Sequence, residues 1–374
     1  MIKTVILCCD GDSSDPDTWS NIPFMLESSL RSKGINIVRV DLSPNPIAKF
    51  MWRYSVGVIH KLLHWRTSYD FFRSRTHAIL TTARMNRAIR RHGGEETILI
   101  NTSISHAPTL KSIPIILISD WSYEHYIRQF LSRSPDYSER TTIKRDKQVA
   151  SRASLNIMLF PLSSKRLSAQ IPSAKFIYIS HVTNIHPCAP MPVNVIRNPA
   201  RSTNPKLGRL SIVYIGRRKY LPELVLLKSI MRDIKNEVNL SVDIIGIEED
   251  EQRIFPKSDS QVRFHGYLRK NNSSQRNTFY QILDDADIMI NLTSPWGPFS
   301  ATLEAMYYYT AIISPPYDEF VEVFGEDAEF VDYIYNSDPR AIANQIRKLI
   351  MNPQLLRARK CAARIAPRVR IVVP

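Results

Sequence analysis

Between Asp287 and Met306 the chain reads as a strand, a Pro/Gly turn and a helix beginning at Ser300 or Ala301. The run Ile288 to Leu292 is apolar enough to lie inside a parallel sheet covered on both faces. Ser300 and Thr302 are early-helix residues whose hydroxyls, together with the open amides of a first turn, can hold an anion. Glu304 lies one turn further in, about 6 Å along the axis by helix rise. There a carboxylate can accept two vicinal hydroxyls of a ribose. Strand, turn, anion-ready helix start and carboxylate together describe a site for a sugar nucleotide.

Such a site needs strands to carry its loops. The chain opens with an apolar strand over Lys3 to Cys9, a helical spacing at Ile22, Met25, Leu26 and Leu30 stopped by Gly34, and a second strand over Ile35 to Leu42. This βαβ opening favours a parallel sheet with right-handed crossovers. Further strands are read at 97–101, 113–119, 155–160 and 176–179, with helices over 52–66, 83–92 and 137–152. Five prolines fall between Pro187 and Pro205, which marks a linker. A second alternating unit follows: strands at 210–215, 241–245, 262–265, 288–291 and 311–314, with helices at 222–236, 275–284, 300–308 and 339–351. The expected fold class is α/β, two Rossmann-like doubly wound domains facing across a cleft, with ligands at the carboxyl ends of the strands. The boundaries read as 1–190 for the first domain, 191–206 for the linker, 207–352 for the second domain and 353–374 for a basic tail.

Composition and charge narrow the class. At 374 residues, 44% hydrophobic and 23% charged, the chain suits two globular domains and excludes a disordered protein. Cys8, Cys9, Cys188 and Cys361 show no metal-ligand spacing and read as reduced thiols of a cytoplasmic chain. The apolar run at Val5 meets Asp10-Gly-Asp12 too soon for an export signal, and no run approaches a membrane span. The net charge of +15 is uneven. Residues 49–91 hold ten Lys/Arg and one acid, Asp70, with Phe50, Trp52, Tyr54, Trp65, Tyr69, Phe71 and Phe72 interleaved. That pattern suits an anionic membrane surface, here the inner face of the membrane. Single-stranded nucleic acid is the rival partner, and a solvated face with buried rings the plain alternative.

The second half resembles the nucleotide-sugar domain of retaining glycosyltransferases of the GT-B fold, family 4 type. The resemblance rests on Val213-Tyr-Ile-Gly216-Arg217, Phe264-His-Gly266-Tyr, Leu283-Asp-Asp-Ala-Asp287 and Pro295-Trp-Gly-Pro-Phe-Ser-Ala-Thr-Leu-Glu304-Ala-Met306. It implies a glycosyltransferase acting from a nucleotide sugar on a polysaccharide or lipid-linked glycan, with retention, and a tail after Asn352 that returns to the first domain. The implied catalytic residues are Asp120 and Glu304. The implied donor-binding set is Gly216, Arg217, Lys219, Trp296, Gly297, Phe299, Ser300, Ala301, Thr302 and Glu304. Two departures stand out. Trp296 occupies the place of the first glutamate of the family's pair, and the family's second basic residue is matched ambiguously by Lys219.

Transfer from a nucleoside diphosphate builds negative charge on the leaving phosphate, which fixed positive potential stabilises. Arg217, Lys219 and the helix start at Phe299 to Ala301 supply it. No cofactor and no metal are then required, and the pair Asp10 and Asp12 belongs to the wrong domain for the donor. Plainer readings accompany each residue. Trp296 is a turn-packing residue or a sugar platform, Arg217 a surface arginine or a phosphate contact, and Asp120 a helix cap or a sugar contact. Ser163 and Ser164 read as caps, and His265 as structural. The rival functions are a catalytically silent nucleotide- or glycan-binding protein and a nucleotide-sugar epimerase.

Overall fold

The computed structural model describes residues 2–63, 67–193, 209–217, 220–234, 237, 239–247, 255, 261–292 and 296–369. Expectations for Trp65, Lys219 and most of the linker lie outside these residues. The chain divides into two units, Met1–His181 and Val182–Pro374. Residues 182–190, expected in the first domain, therefore belong to the second. The Tyr280 hydroxyl accepts the His186 amide at 3.0 Å, and the Val193 amide reaches Asp284 Oδ1 at 3.1 Å.

In the first unit β1 (Thr4–Cys9), β2 (Asn36–Asp41), β3 (Thr97–Asn101), β4 (Ile115–Ser119), β5 (Leu155–Met158) and β6 (Phe176–Tyr178) form one sheet in the order β2-β1-β3-β4-β5-β6, every pairing parallel. Successive side chains of β1 point to opposite faces, and both faces are buried. Ile6 and Cys8 enter one core cluster and Val5 and Leu7 another, so a parallel sheet here reads as a continuous apolar run. Burial pushes the Cys9 thiol up to about 12, which suits a core residue.

Helices α1 (Ile22–Ser32), α2 (Pro46–Arg53), α3 (Val56–Leu63), α4 (Arg75–His92), α5 (Tyr123–His125), α6 (Tyr137–Arg152) and α7 (Pro161–Gln170) complete the unit. Four of these differ from expectation. The helix expected over 52–66 is two helices; α2 starts at Pro46, with the Asn45 side chain accepting the Ala48 amide at 3.0 Å. Helix α4 starts eight residues early because Ser74 caps the His77 amide at 3.1 Å. Ser163 and Ser164 lie inside α7, buried, while Pro161 opens it, so neither is a cap.

In the second unit β7 (Arg209–Ile215), β8 (Asn239–Ile245), β9 (Val262–Phe264), β10 (Ile288–Ile290), β11 (Ala311–Ser314) and β12 (Val331–Tyr333) run parallel in the order β12-β11-β10-β7-β8-β9. Numbered within the unit this is 3-2-1-4-5-6, the doubly wound order, with its reversal between β7 and β10. Helices α8 (Leu221–Ile234), α9 (Ser273–Asp285), α10 (Phe299–Tyr307), α11 (Asp318–Phe324), α12 (Pro339–Met351) and α13 (Pro353–Val369) cover it. The tail expected to return to the first domain is α13, and its own unit holds it. Arg364 stacks 3.6 Å over the Tyr307 ring and donates to the Tyr307 carbonyl at 2.8 Å, while Lys360 pairs with Asp287 at 2.9 Å. The basic run is thereby placed against ring faces, carbonyls and carboxylates of that domain.

A single carboxylate ties the loops of the first unit together. Asp136 and Glu139 form a capping box at the start of α6, with reciprocal bonds of 2.9 and 2.8 Å. The same Glu139 accepts the Ser68 amide and hydroxyl, each at 2.7 Å, and a two-pronged Arg133 at 2.6 and 2.7 Å. Burial alone would raise its pKa, but the bonds from Arg133, Asp136 and Ser68 prevail and hold it at about 2. A depressed carboxylate stabilises the fold above its unfolded value, and that stability is lost as pH falls through the folded value. The wild-type chain is therefore expected to lose stability steadily between roughly pH 4.5 and 2. Glu139→Gln should remove about 2 kcal/mol at neutral pH and flatten that slope, as read from urea midpoints at several pH values.

Candidate active site

At a strand-order reversal the helices after the two strands lie on opposite faces, leaving a crevice at the carboxyl ends. Here those ends are Gly216-Arg217 after β7 and the turn after β10. Glycine is required along this edge. Gly246, at φ +89°, would place a Cβ 2.2 Å from the Gly216 carbonyl oxygen. The Gly216 amide donates to Ile245 O at 3.0 Å and the Gly246 amide to Gly266 O at 2.7 Å, so three strand ends are drawn together.

Two loops bring cations to this edge. The Arg217 guanidinium, exposed, lies 4.9 Å from the centre of the Tyr267 ring, and Arg269 lies 5.8 Å from the same ring. Tyr267 and Arg269 follow β9, and neither was singled out by sequence pattern. The Phe264-His-Gly266-Tyr motif was the available signal. His265, read as structural, bonds Asp243 at 2.7 Å beside Arg263.

The turn into α10 is equally constrained. A Cβ on Gly297 would fall 2.5 Å from Asn291 Nδ2 and 2.7 Å from the Tyr317 ring. Asn291 in turn donates to Ser314 Oγ at 3.0 Å. Phe299 is a core residue whose amide donates to Gly297 O at 2.9 Å; its ring stacks on Phe324 at 5.9 Å. Thr302 is buried, and its hydroxyl donates to Pro298 O at 3.1 Å rather than toward an anion. Ser300 and Ala301, half-buried, head the helix, where first-turn amides have no intrahelical acceptor. Trp296 is half-buried beside Gly297.

Glu304 is 1% exposed, and both its oxygens accept from Lys270 Nζ, at 2.5 and 2.6 Å. Lys270 lies 4.7 Å from the Phe279 ring centre and 5.8 Å from that of Tyr280. Burial raises the Glu304 carboxyl above its ordinary range, and the Lys270 charge and hydrogen bonds oppose this in part. Lys270 escaped the sequence reading because nothing in its spacing relates it to Glu304, 34 positions away.

Asp120 belongs to the first unit, at the carboxyl end of β4. Its Oδ1 accepts the Trp121 amide at 2.7 Å, and the cap of α5 is Ser122, which accepts the His125 amide at 3.1 Å. Burial raises the Asp120 carboxyl, opposed by hydrogen bonds from the Trp121 amide and the Trp19 side chain and by the Arg73 charge. Asp12 accepts the Ser14 amide at 2.8 Å and so closes a turn. Among the described residues no group of three or more His, Cys, Asp or Glu is placed to hold a metal ion.

Removing one partner of a buried ion pair strands the other charge. Lys270→Ala should destabilise the fold by about 3 kcal/mol, whereas Lys270→Met combined with Glu304→Leu should recover most of that loss. Urea midpoints of the three proteins check this; a Lys270→Ala midpoint equal to wild type would show that the carboxylate does not need its lysine.

The family model for glycosyl transferases group 1 matches residues 209–352. No curated protein matches the chain. Similar solved structures include sucrose-phosphate synthase from Thermosynechococcus elongatus, 13% identical, covering 98% of this chain and 94% of the other with a TM-score of 0.68. Anabaena HepE, solved with UDP and glucose, is 14% identical over 99% of this chain and 95% of its own, with a TM-score of 0.56. S. aureus TarM, solved with Fondaparinux, alpha-GlcNAc-glycerol and UDP, is 15% identical over 78% of this chain at a TM-score of 0.58; the match spans 56% of TarM's length. At these identities the structural likeness is one of fold. Residues 209–352, less than half of the chain, are thus similar to the glycosyl transferases group 1 family, in a chain of GT-B fold.

Proposed function

We propose that this protein is a glycosyltransferase that takes a sugar from a nucleoside diphosphate held at the carboxyl edge of the second sheet. The observation that supports the reading is topological: Arg217 follows β7, and α10 with the buried Glu304 follows the neighbouring β10, at the reversal of strand order and inside the family-matched residues. Departure of the diphosphate builds negative charge. Arg217 and Arg269 beside it, with the first-turn amides of Ser300 and Ala301, are fixed positive groups that favour that charge as it forms. Protein groups thus supply the potential that a metal ion supplies in other transferases.

Glu304 has the second part. A carboxylate has about four acceptor sites. Lys270 takes one on each oxygen and fixes the group's orientation, leaving capacity for the two hydroxyls of a ribose. Lys270 is then a positioning residue for the donor. The acceptor in this proposal is a glycan or a lipid-linked glycan, met by the first unit with Asp120 at the end of β4. Transfer retains the anomeric configuration, which the coupling constant of the product's anomeric proton would report.

Because UDP accompanies two of the structural neighbours, UDP and UDP-sugars are the first probes. Saturating UDP is expected to raise the melting temperature, since a ligand bound only to the folded state stabilises it by RT ln(1 + [L]/Kd). Arg217→Ala should weaken UDP binding by about tenfold or more without altering the unliganded melt. Failure of every common nucleoside diphosphate to shift the melt would refute the donor site. A second reading, nucleotide binding without transfer, is favoured by Trp296 standing where the family's first glutamate stands. Sugar release from a bound donor, with or without acceptor, separates the two.

A further inference from the structure

The basic, ring-rich segment of the first unit is not used by the donor site. The structure sorts its side chains in a way the sequence did not. Trp52 turns inward, 5.9 Å from Tyr69 and 6.1 Å from the buried Phe71. His60 lies 4.8 Å from Tyr69 and bonds Ser138 at 3.1 Å. Gly57 closes the corner between α2 and α3; a Cβ there would meet the Trp52 ring at 3.0 Å. These contacts hold one face of the α2–α3 pair against the body of the unit.

The other face is exposed and apolar. Ile47, Phe50, Met51 and Tyr54 follow the i, i+3, i+4, i+7 spacing of a single helix stripe, and Ile59 and Leu62 continue it on α3. Ile47 is 72% exposed and Leu62 80%. Lys49 and Arg53 are exposed beside them, and residues 46–63 contain no acid. A contiguous apolar stripe of this kind is unusual on a soluble surface and marks an interaction site. No described helix is long and apolar enough to cross a membrane.

We propose that the outer face of α2 and α3 docks on an anionic lipid surface, lying in the headgroup layer with its aliphatic stripe inserted and Lys49 and Arg53 against lipid phosphates. Charge decides between occupants: the two helices carry Lys49 and Arg53 and no acid of their own, and although the Asp10 carboxylate lies within electrostatic reach of Lys49, the outer face stays cationic, complementary to an anionic headgroup layer. Ring placement argues against single-stranded nucleic acid, which needs open aromatic faces for stacking. Trp52 and Phe71 face inward, and among the described residues of the segment the two exposed rings, Phe50 and Tyr54, lie 4.7 Å apart against each other. The proposal does not depend on what the second unit binds.

Flotation of the full chain with phosphatidylcholine vesicles, with and without phosphatidylglycerol, tests this. The wild type should partition onto the anionic vesicles about tenfold more strongly than onto neutral ones. The double variant Met51→Glu/Leu62→Glu should fall to background on both, and Lys49→Glu/Arg53→Glu should abolish the anionic preference. All four positions are exposed, so melting temperatures should match wild type. Equal flotation with neutral vesicles, or wild-type flotation of the Met51→Glu/Leu62→Glu protein, would overturn the proposal. So would finding that these variants instead convert a dimer to a monomer, or abolish oligonucleotide binding, while vesicle binding is absent throughout.

Discussion

A carboxylate removed from water is unfavourable unless a cation accompanies it, and the second unit is arranged around one such group. Glu304 lies in the second turn of α10 with Lys270 on both oxygens, and Lys270 is delivered by the loop after β9. The lysine in turn rests on Phe279 and Tyr280 of α9. Tyr280 stacks on Tyr308 and receives the His186 amide, while the Tyr308 hydroxyl donates to the Pro190 carbonyl. One charge pair therefore links α9, α10, the β9 loop and the segment entering the unit. The head of α10, where a diphosphate would lie, is fixed in place by the same contacts.

Much of this unit was legible because its signals are local. The apolar run at Ile288, the Pro/Gly turn and the helix at Phe299 can be read from neighbouring residues, and the structure places them within a residue or two. Gly297 was legible as a turn signal, though not its cause, and Gly246 was not singled out. Gly297 is required by contacts with Asn291 and Tyr317, and Gly246 by contact with Gly216, across neighbouring strand ends rather than along one turn. Lys270 was not legible at all, since an ion pair between two loops of a sheet leaves no periodic trace. Thr302 illustrates the opposite error. Its residue type suits an anion site, but a buried threonine in a first turn finds the nearest carbonyl, Pro298, instead.

In the first unit the same limits appear. Composition showed that residues 49–91 are basic and aromatic, but the helix read over 52–66 ran across the break between α2 and α3. Neither composition nor spacing tells which side of an amphipathic helix faces the core. The membrane reading put rings outward and the plain alternative put them inside; Trp52 and Phe71 pack inward, Phe50 and Tyr54 are exposed, and the exposed stripe is mostly aliphatic. Helix starts were missed where the cap lay in a stretch read as loop: Ser74 before α4 and Asn45 before α2. Asp120, expected at a strand end, is there, and the structure removes its alternative as a helix cap by giving that task to Ser122.

The central claim is that a nucleoside diphosphate is held at the β7–β10 edge of the second sheet. Backbone amide hydrogen exchange of the full chain, with and without saturating UDP, tests it residue by residue. The account predicts slowed exchange confined to Gly216–Arg217, the Tyr267–Lys270 loop and the head of α10 from Gly297 to Ala301. Bound UDP that leaves these amides unchanged, or protects only the first unit, would contradict it.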